Sequence, residues 1–323
     1  MSINKKAIAV FLAVTFVAMG FLSLPYLLHP KLLNTGDLNL LTLLMFTPAL
    51  GVFVVVAGRR KLGDITQDVP EDELDKTGYI LFKRAGLLRP EGGWLRVLAW
   101  AFAAFFGVLL GVVLTLVLGH VIGLNPVDVI DQPSNVQQSL LGPGADTSRV
   151  PDSWVILLGG LISAFLAAFS INALVALGEE IGWRGWLTTA LKPLGFWPSA
   201  VVIGAIWGLW HAPINAAGYN YPDAPRPVAI VMFILFCVCF GALLQAIRER
   251  SQSLWPVAVA HGTLNATVGF FMLVSLDTTG SAWLWFSPNG LLGSVVFLCL
   301  ALAVKHLGTK TTIGTLDPQD GVV

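Results

Sequence analysis

The chain has 323 residues, of which 55% are hydrophobic and only 12% are charged. A soluble domain carries about twice that charged fraction, so the composition indicates an integral membrane protein. Basic and acidic residues balance, and the formal net charge at pH 7 is zero. This balance excludes a global electrostatic attraction to nucleic acid, and we expect no nucleic-acid partner.

Apolar runs long enough to cross a bilayer follow one another along the chain. Crossing the hydrocarbon core takes about 20 helical residues, so we predict an all-α, polytopic bundle of about eight transmembrane helices, forming a single membrane domain over residues 1–323. The first run is too long for the core of a cleaved signal peptide and is expected to remain as a span. The fourth is too long for one straight crossing and has to tilt, kink or protrude. The predicted spans are 7–28, 39–57, 97–122, 155–191, 197–218, 228–247, 254–276 and 289–304.

Lysine and arginine are concentrated near the termini and in alternate loops, above all in the connection 58–96. Because these residues favour the cytoplasmic side, both termini of this multi-pass protein are predicted to be cytoplasmic, and the membrane is the plasma membrane if the source is prokaryotic. The segment 58–96, which contains the acidic stretch Asp64–Asp75, is expected to be an amphipathic or partly ordered surface connection. We also predict that the opposite loop, 125–153, is irregular and that residues 306–323 form a flexible tail.

The fourth predicted span carries charged residues at membrane depth, where they are costly and usually mark function. Glu180 and Arg184 are four residues apart, in the order that favours an intrahelical ion pair. Glu179 points about 100° away from Glu180. It therefore needs a partner from another helix, a metal or a water cavity, which makes it the stronger candidate for chemistry. The alternative is that the two carboxylates only mark the cytoplasmic end of the span.

Two later spans carry histidines with a polar or aromatic neighbour one turn away. Trp207 and His211 share a helix face, and Pro213 is expected to kink or end that helix just after them. His261 and Asn265 share a face of another helix. Taken singly, His211 also fits an interfacial aromatic belt, and His261 with Asn265 also fits a hydrogen-bonded pair that only joins two helices.

Depth in the membrane is what connects these residues. Counted from the predicted cytoplasmic boundaries at about 1.5 Å per residue, Glu179, His211 and His261 all lie roughly 12–21 Å inward. A carboxylate and imidazoles in a wet pocket can activate water for attack on a carbonyl, and the Asn265 amide can help to stabilise the oxyanion. The same side chains could instead hold a divalent metal such as zinc, with Glu179, His211 and His261 as candidate ligands. The residues alone leave both mechanisms open.

Three polar motifs follow one another in a fixed order. They are Glu179-Glu180-x-x-x-Arg184, aromatic-x-x-x-His211 and His261-x-x-x-Asn265. This succession resembles the CPBP intramembrane protease family, which includes CAAX prenyl endopeptidases and bacteriocin-processing or self-immunity proteins. The resemblance covers about residues 175–270, the expected catalytic core. Trp207 stands where the family usually has a phenylalanine.

The resemblance implies an endopeptidase with a role for each matched residue. Glu179 and His211 are expected to activate the water, while His261 and Asn265 are expected to stabilise the oxyanion. The supporting residues are Glu180, Arg184 and Trp207. Metal dependence is disputed for this family. We favour a metal-free glutamate mechanism, with zinc bound by Glu179, His211 and His261 as the alternative.

The expected substrate is a peptide or a membrane protein met at the lipid bilayer. Prenylated C-terminal peptides, leader peptides and membrane-protein segments all fit this description, and the oligomeric state stays open. The alternative from another class is a non-enzymatic membrane protein, either a proton-linked transporter or a self-immunity scaffold, because intramembrane glutamate and histidine also suit proton relays. The sequence has no inverted repeat or paired broken helices of the kind that transporters use.

Overall fold

The computed structural model describes residues 3–34, 38–62, 77–88, 90, 92–141, 146, 148, 150–277 and 280–306. These residues form helices and no β-strand, which confirms the predicted all-α fold. A π-helix, Ile181–Leu187, joins α9 to α10, and 3-10 turns cover Pro30–Asn34 and Lys192–Leu194. The α-helices are α1 (Lys5–Leu28), α2 (Leu38–Leu44), α3 (Thr47–Ala57), α4 (Arg59–Leu62), α5 (Thr77–Arg84), α6 (Gly93–Val121), α7 (Gln132–Leu141), α8 (Ser153–Ala168), α9 (Ile171–Glu180), α10 (Thr188–Ala190), α11 (Phe196–Trp210), α12 (Ala212–Ala217), α13 (Arg226–Ser251), α14 (Leu254–Thr267), α15 (Phe270–Val274), α16 (Gly280–Phe286) and α17 (Leu291–His306).

Six helical segments in the described part of the chain are long and apolar enough to cross a membrane, and a bent pair makes a seventh. The six are Lys5–Leu28, Leu40–Ala57, Gly93–Val121, Arg226–Ser251, Leu254–Val274 and Ala282–His306. The prediction of about eight also counted 197–218 as a full span. There the structure has α11, which is only 15 residues long, against the roughly 20 that a crossing takes. The short helix α12 follows it.

The fourth predicted span, 155–191, is kinked, as its length required. Helix α8 and the helical stretch Ile171–Ala190 meet at an angle of 49°. Ser170, at the junction, leaves the helical conformation with φ −132° and ψ −105°. Beyond α9 the chain widens into the π-helix, where the backbone N–H of Thr188 donates to the carbonyl of Trp183, five residues earlier. Arg184 lies within this π-helix, whose turns are wider than those of an α-helix.

Helix α11 ends just before Pro213, as predicted. The backbone N–H of His211 still donates to the carbonyl of Trp207, at 3.3 Å. Pro213 has no N–H to continue the series, and it occupies the first turn of α12 instead. His211 therefore lies at the junction of two helices, where backbone groups are open to other partners.

Glycines bring the long helices into close contact. A Cβ at Gly204 of α11 would lie 2.5 Å from the Cα of Val238 in α13. A Cβ at Gly262 of α14 would lie 3.0 Å from backbone atoms of α9. Only glycine permits such an approach between backbones. The helices that carry the predicted site residues are thereby packed into one unit.

Two of the connections between the spans contain short helices. The loop 125–153 was predicted to be irregular, but it includes α7, which is 10 residues long. The connection 58–96 includes the helices α4 and α5, and the main chain after α5 is anchored because the backbone N–H of Leu254 donates to the carbonyl of Ala85. Asp64–Asp75 and the predicted tail after residue 306 lie outside the described residues.

Candidate active site

The polar cluster forms where three helices meet inside the bundle. Glu179 and Glu180 are the last residues of α9, and the π-helix carries Arg184 one turn later. His211 lies directly after α11, and His261 lies in the middle of α14. Glu179, Glu180 and Arg184 are each no more than 1% exposed. The cluster therefore lies in the interior, and each charge needs a partner there.

Glu180 is the centre of a buried three-residue network. Its Oε1 and Oε2 accept hydrogen bonds from Nη1 of Arg184 at 3.1 and 3.2 Å, as their four-residue spacing predicts. Nδ1 of His261 donates to the same Oε1 at 2.8 Å. Two further nitrogens of the guanidinium group, Nε and Nη2, have no hydrogen-bond partner in the described structure. The Glu180 carboxylate thus compensates buried basic groups on two different helices.

Glu179 takes its partner from another helix, as its direction on α9 required. Its Oε2 accepts a hydrogen bond from Nε1 of Trp207 at 2.6 Å, and Trp207 is itself only 2% exposed. The other oxygen, Oε1, makes no hydrogen bond with any described residue. One oxygen of this carboxylate is therefore held by the protein, and the other is left for a water or a substrate atom.

The imidazole ring of His211 is held by a hydrogen bond from its Nδ1 atom to the main chain. Nδ1 lies 2.9 Å from the carbonyl oxygen of Trp207. A carbonyl can only accept, so Nδ1 carries the hydrogen and Nε2 carries the lone pair in the neutral ring. Nε2 makes no hydrogen bond with the residues that the structure describes, and the residue is half-buried. The His211 ring is thus oriented by the main chain, and its Nε2 is left without a partner among the described residues.

Trp207 contacts Glu179, Arg184, His211 and His261. The guanidinium Cζ of Arg184 lies over its indole ring, 4.2 Å from the ring centroid. The rings of His211 and His261 pack edge to face against it, with centroids at 5.8 and 5.3 Å. A stacked cation and an N–H donated to a carboxylate are favourable contacts for an indole. Trp207 therefore provides a hydrogen bond and a cation–π contact in addition to the aromatic packing that its motif position suggests.

Asn265 is the one predicted site residue that the structure does not join to the cluster. Its side chain is exposed and makes no hydrogen bond within the described part of the chain. Two residues not singled out from the sequence lie next to the cluster. Gly241 makes room for Arg184, since a Cβ there would lie 2.7 Å from Nη2. Asn215, one turn after His211, is buried, and its Oδ1 accepts from Nδ2 of Asn220 at 2.7 Å. The four-residue spacing from His211 was the only signal for Asn215.

The side chains as placed do not form a metal site. Among the described residues there is no group of three or more His, Cys, Asp or Glu side chains that could hold a metal ion. Nδ1 of His211 and Nδ1 of His261 are committed, to a carbonyl and to Glu180, so a metal ion would have to be held by their Nε2 atoms. Zinc held by Glu179, His211 and His261 stays an untested alternative, and no step below passes through a metal.

A helical membrane bundle that buries a half-free carboxylate beside two oriented histidines has the architecture of an intramembrane hydrolase. Residues 159–267 match the family model described as type II CAAX prenyl endopeptidase, Rce1-like. This part of the chain belongs to that protease family, which confirms the resemblance found in the motifs, and membership implies an intramembrane protease. All of the predicted site residues lie within the matched segment. No curated protein and no solved structure matches the chain.

Proposed function

We propose that the protein is an intramembrane endopeptidase that cleaves a peptide bond with water activated by Glu179 and His211. The observation that carries this proposal is the state of the Glu179 carboxylate. It is buried, one oxygen accepts from Trp207 at 2.6 Å, and the other oxygen has no donor among the described residues. A carboxylate held in this way can bind a water and take its proton.

The proposed reaction begins with a water between Oε1 of Glu179 and Nε2 of His211. As one of these atoms accepts the proton, the water oxygen forms a bond to the substrate carbonyl carbon, and the carbonyl electron pair moves onto its oxygen. The tetrahedral intermediate then collapses, the C–N bond breaks, and the stored proton goes to the leaving amine. The products are a new carboxyl group and a new amine, so the step consumes one water.

The oxyanion of the intermediate needs donors, and His261 and Asn265 are proposed for this role. His261 already donates from Nδ1 to Glu180, so donation from Nε2 requires a hydrogen on both nitrogens. The Glu180 carboxylate supports that charged ring. The amide of Asn265 lies one turn along the same helix and is not engaged by the described residues, which leaves its NH₂ group free for the substrate.

The proposed substrate is a membrane-associated peptide, and a prenylated C-terminal peptide is the first one to test because of the family match. Leader peptides and segments of membrane proteins are the other members of the class. Large apolar side chains on the outside of the spans, such as Phe21 and Phe53, are exposed. They suit contact with lipid, so a substrate anchored in the bilayer can approach the bundle from the side.

The test is cleavage of a farnesylated, fluorescence-quenched peptide ending in Cys-Val-Leu-Ser by the purified full-length protein. Glu179→Gln keeps the size of the side chain but removes the base, and we expect kcat/KM to fall by about 10³-fold. Glu249→Gln is the matched control, because this residue pairs with Lys305 at a partly exposed position. The control variant should cleave at the wild-type rate.

Two results would contradict the proposal. Cleavage that persists in Glu179→Gln would remove this carboxylate from the chemistry. Failure of the wild-type protein to cleave the farnesylated peptide, its unprenylated form or a leader peptide, together with proton-coupled flux in proteoliposomes, would support the transporter alternative instead.

A further inference from the structure

We propose that Trp207 is a positioning residue of this site, whose indole N–H holds one oxygen of Glu179 so that the other is presented as the base. The inference rests on the proposed function and extends it. It assigns a role to the N–H group of this side chain, which a phenylalanine at the same position could not have.

The first argument is the geometry of the donor. Nε1 of Trp207 lies 2.6 Å from Oε2 of Glu179, and both side chains are within 2% of full burial. Hydrogen bonds to an ionised acceptor are short and about twice as strong as neutral ones. The indole N–H can only donate. Oε2 is therefore fixed, and the torsion that would exchange the two carboxylate oxygens is restrained.

The second argument is that one residue orients both water-activating groups. The side chain of Trp207 holds Glu179, and its main-chain carbonyl accepts from Nδ1 of His211 at 2.9 Å. The free atoms, Oε1 of Glu179 and Nε2 of His211, are thus set relative to the same short stretch of helix. A shift of Trp207 moves both of them together.

The third argument is that Trp207 is itself tightly held. Gly204, one turn earlier, allows α11 to lie directly against the backbone of α13. Any larger residue would clash there, because a Cβ at this position would lie 2.5 Å from the Cα of Val238. Arg184 lies over the indole ring at 4.2 Å. A donor fixed from both sides can fix its acceptor, which is what a preorganised site requires.

The experiment replaces Trp207 by 3-benzothienylalanine, in which sulfur takes the place of the indole N–H and the ring shape is nearly kept. We expect kcat for the farnesylated Cys-Val-Leu-Ser peptide to fall by about 10- to 100-fold because the base is misplaced. KM should stay near the wild-type value, because the substrate contacts are unchanged. Trp207→Phe should show the same loss of kcat.

Trp210 supplies a matched control on the same helix. It is 1% exposed, and its Nε1 donates to Oγ1 of Thr47 at 3.1 Å. Trp210→3-benzothienylalanine loses a buried indole N–H as well, but not one that reaches Glu179. A merely structural contribution would lower the activity of both variants, whereas a positioning role lowers only that of the Trp207 variant.

A second measurement does not depend on turnover. In protein labelled with ¹⁵N-tryptophan, the indole resonance of Trp207 is assigned by its loss in Trp207→Phe. It should lie downfield and move upfield in Glu179→Gln, because the acceptor loses its charge. Two results would overturn the positioning role and leave the proposed function standing. One is an indole resonance that does not move in Glu179→Gln. The other is wild-type kcat in the Trp207 benzothienyl variant when Glu179→Gln itself is inactive. Absence of cleavage by the wild type would overturn both.

Discussion

Glu180 is bonded to two basic side chains in a part of the molecule that water does not reach freely. Arg184 is 1% exposed and His261 is 4% exposed, and both donate to this carboxylate. Breaking a buried ion pair leaves a charge without compensation and is strongly destabilising. Glu180 therefore supports the fold as well as the orientation of His261, whereas Glu179, with one free oxygen, is the group suited to chemistry.

Glu180→Gln tests this division of roles. We expect the free energy of unfolding to fall by about 3 kcal/mol, because the Arg184 charge stays buried without a counter-charge. Denaturation of the purified protein in mixed micelles with increasing dodecyl sulfate measures the change. Glu249→Gln breaks a partly exposed pair with Lys305 and should cost less than about 1 kcal/mol. Equal losses for the two variants would show that burial does not strengthen the Glu180 network.

Spacing along one helix was enough to predict part of this site. The four-residue interval between Glu180 and Arg184 and the different direction of Glu179 follow from helix geometry alone. The contacts with residues on other helices do not follow from the geometry of a single helix. That His261 bonds to Glu180, and Trp207 to Glu179, depends on how α9, α11 and α14 are rotated against each other. The exposure of Asn265 could not be predicted for the same reason. Its spacing from His261 shows that the two side chains share a helix face, but not which other residues pack against that face.

At the scale of elements, the site depends on how closely α11 lies against α13. Gly204 permits this approach, and Trp207 follows it by one turn. Gly241 of α13 leaves the room that Arg184 occupies, since a Cβ there would lie 2.7 Å from Nη2 of Arg184. The π-helix after α9 could not be predicted from the sequence, because its residues also suit an ordinary α-helix. It gives the fourth predicted span its irregular geometry.

Gly204→Ala should disturb this contact, because the new methyl group would lie 2.5 Å from the Cα of Val238. We expect a loss of about 1–3 kcal/mol in unfolding free energy and a lower kcat, since Trp207 moves with α11. Gly107→Ala in α6 is the control, because no atom lies within 4 Å of a Cβ at that position. It should be neutral or stabilise the protein by up to about 1 kcal/mol. Wild-type stability and kcat in Gly204→Ala would mean that α11 does not need the close contact.

At the scale of the whole molecule, basic residues from distant parts of the chain meet at one end of the bundle. Side chains of the N-terminus, of α6 and of α13 donate to carbonyl oxygens near other span ends. These hydrogen bonds join Lys6 to Lys61, Arg96 to Arg250, Arg248 to Arg84 and Arg250 to Lys305. The prediction that the start of α1 and the end of α17 lie on the same side requires an even number of traverses. We expect α11, which is too short to cross alone, to make one of these traverses together with α12.

The concentration of Lys and Arg at this end predicts that it is the cytoplasmic one. A green fluorescent protein fused after Val323 should fluoresce in a bacterial host, and alkaline phosphatase fused at the same point should be inactive, because it needs the oxidising outer compartment to form its disulfides. Alkaline phosphatase fused after Gly123, which follows the third span, should be active. The reverse pattern would place the basic end outside the cell and contradict the predicted cytoplasmic location of the termini. Opposite locations for the N-terminus and Val323 would contradict the even number of traverses. In the expected orientation Glu179 is reached from the cytoplasmic half of the membrane. The peptide bond of the proposed substrate would then have to be presented from that side or from the surrounding lipid.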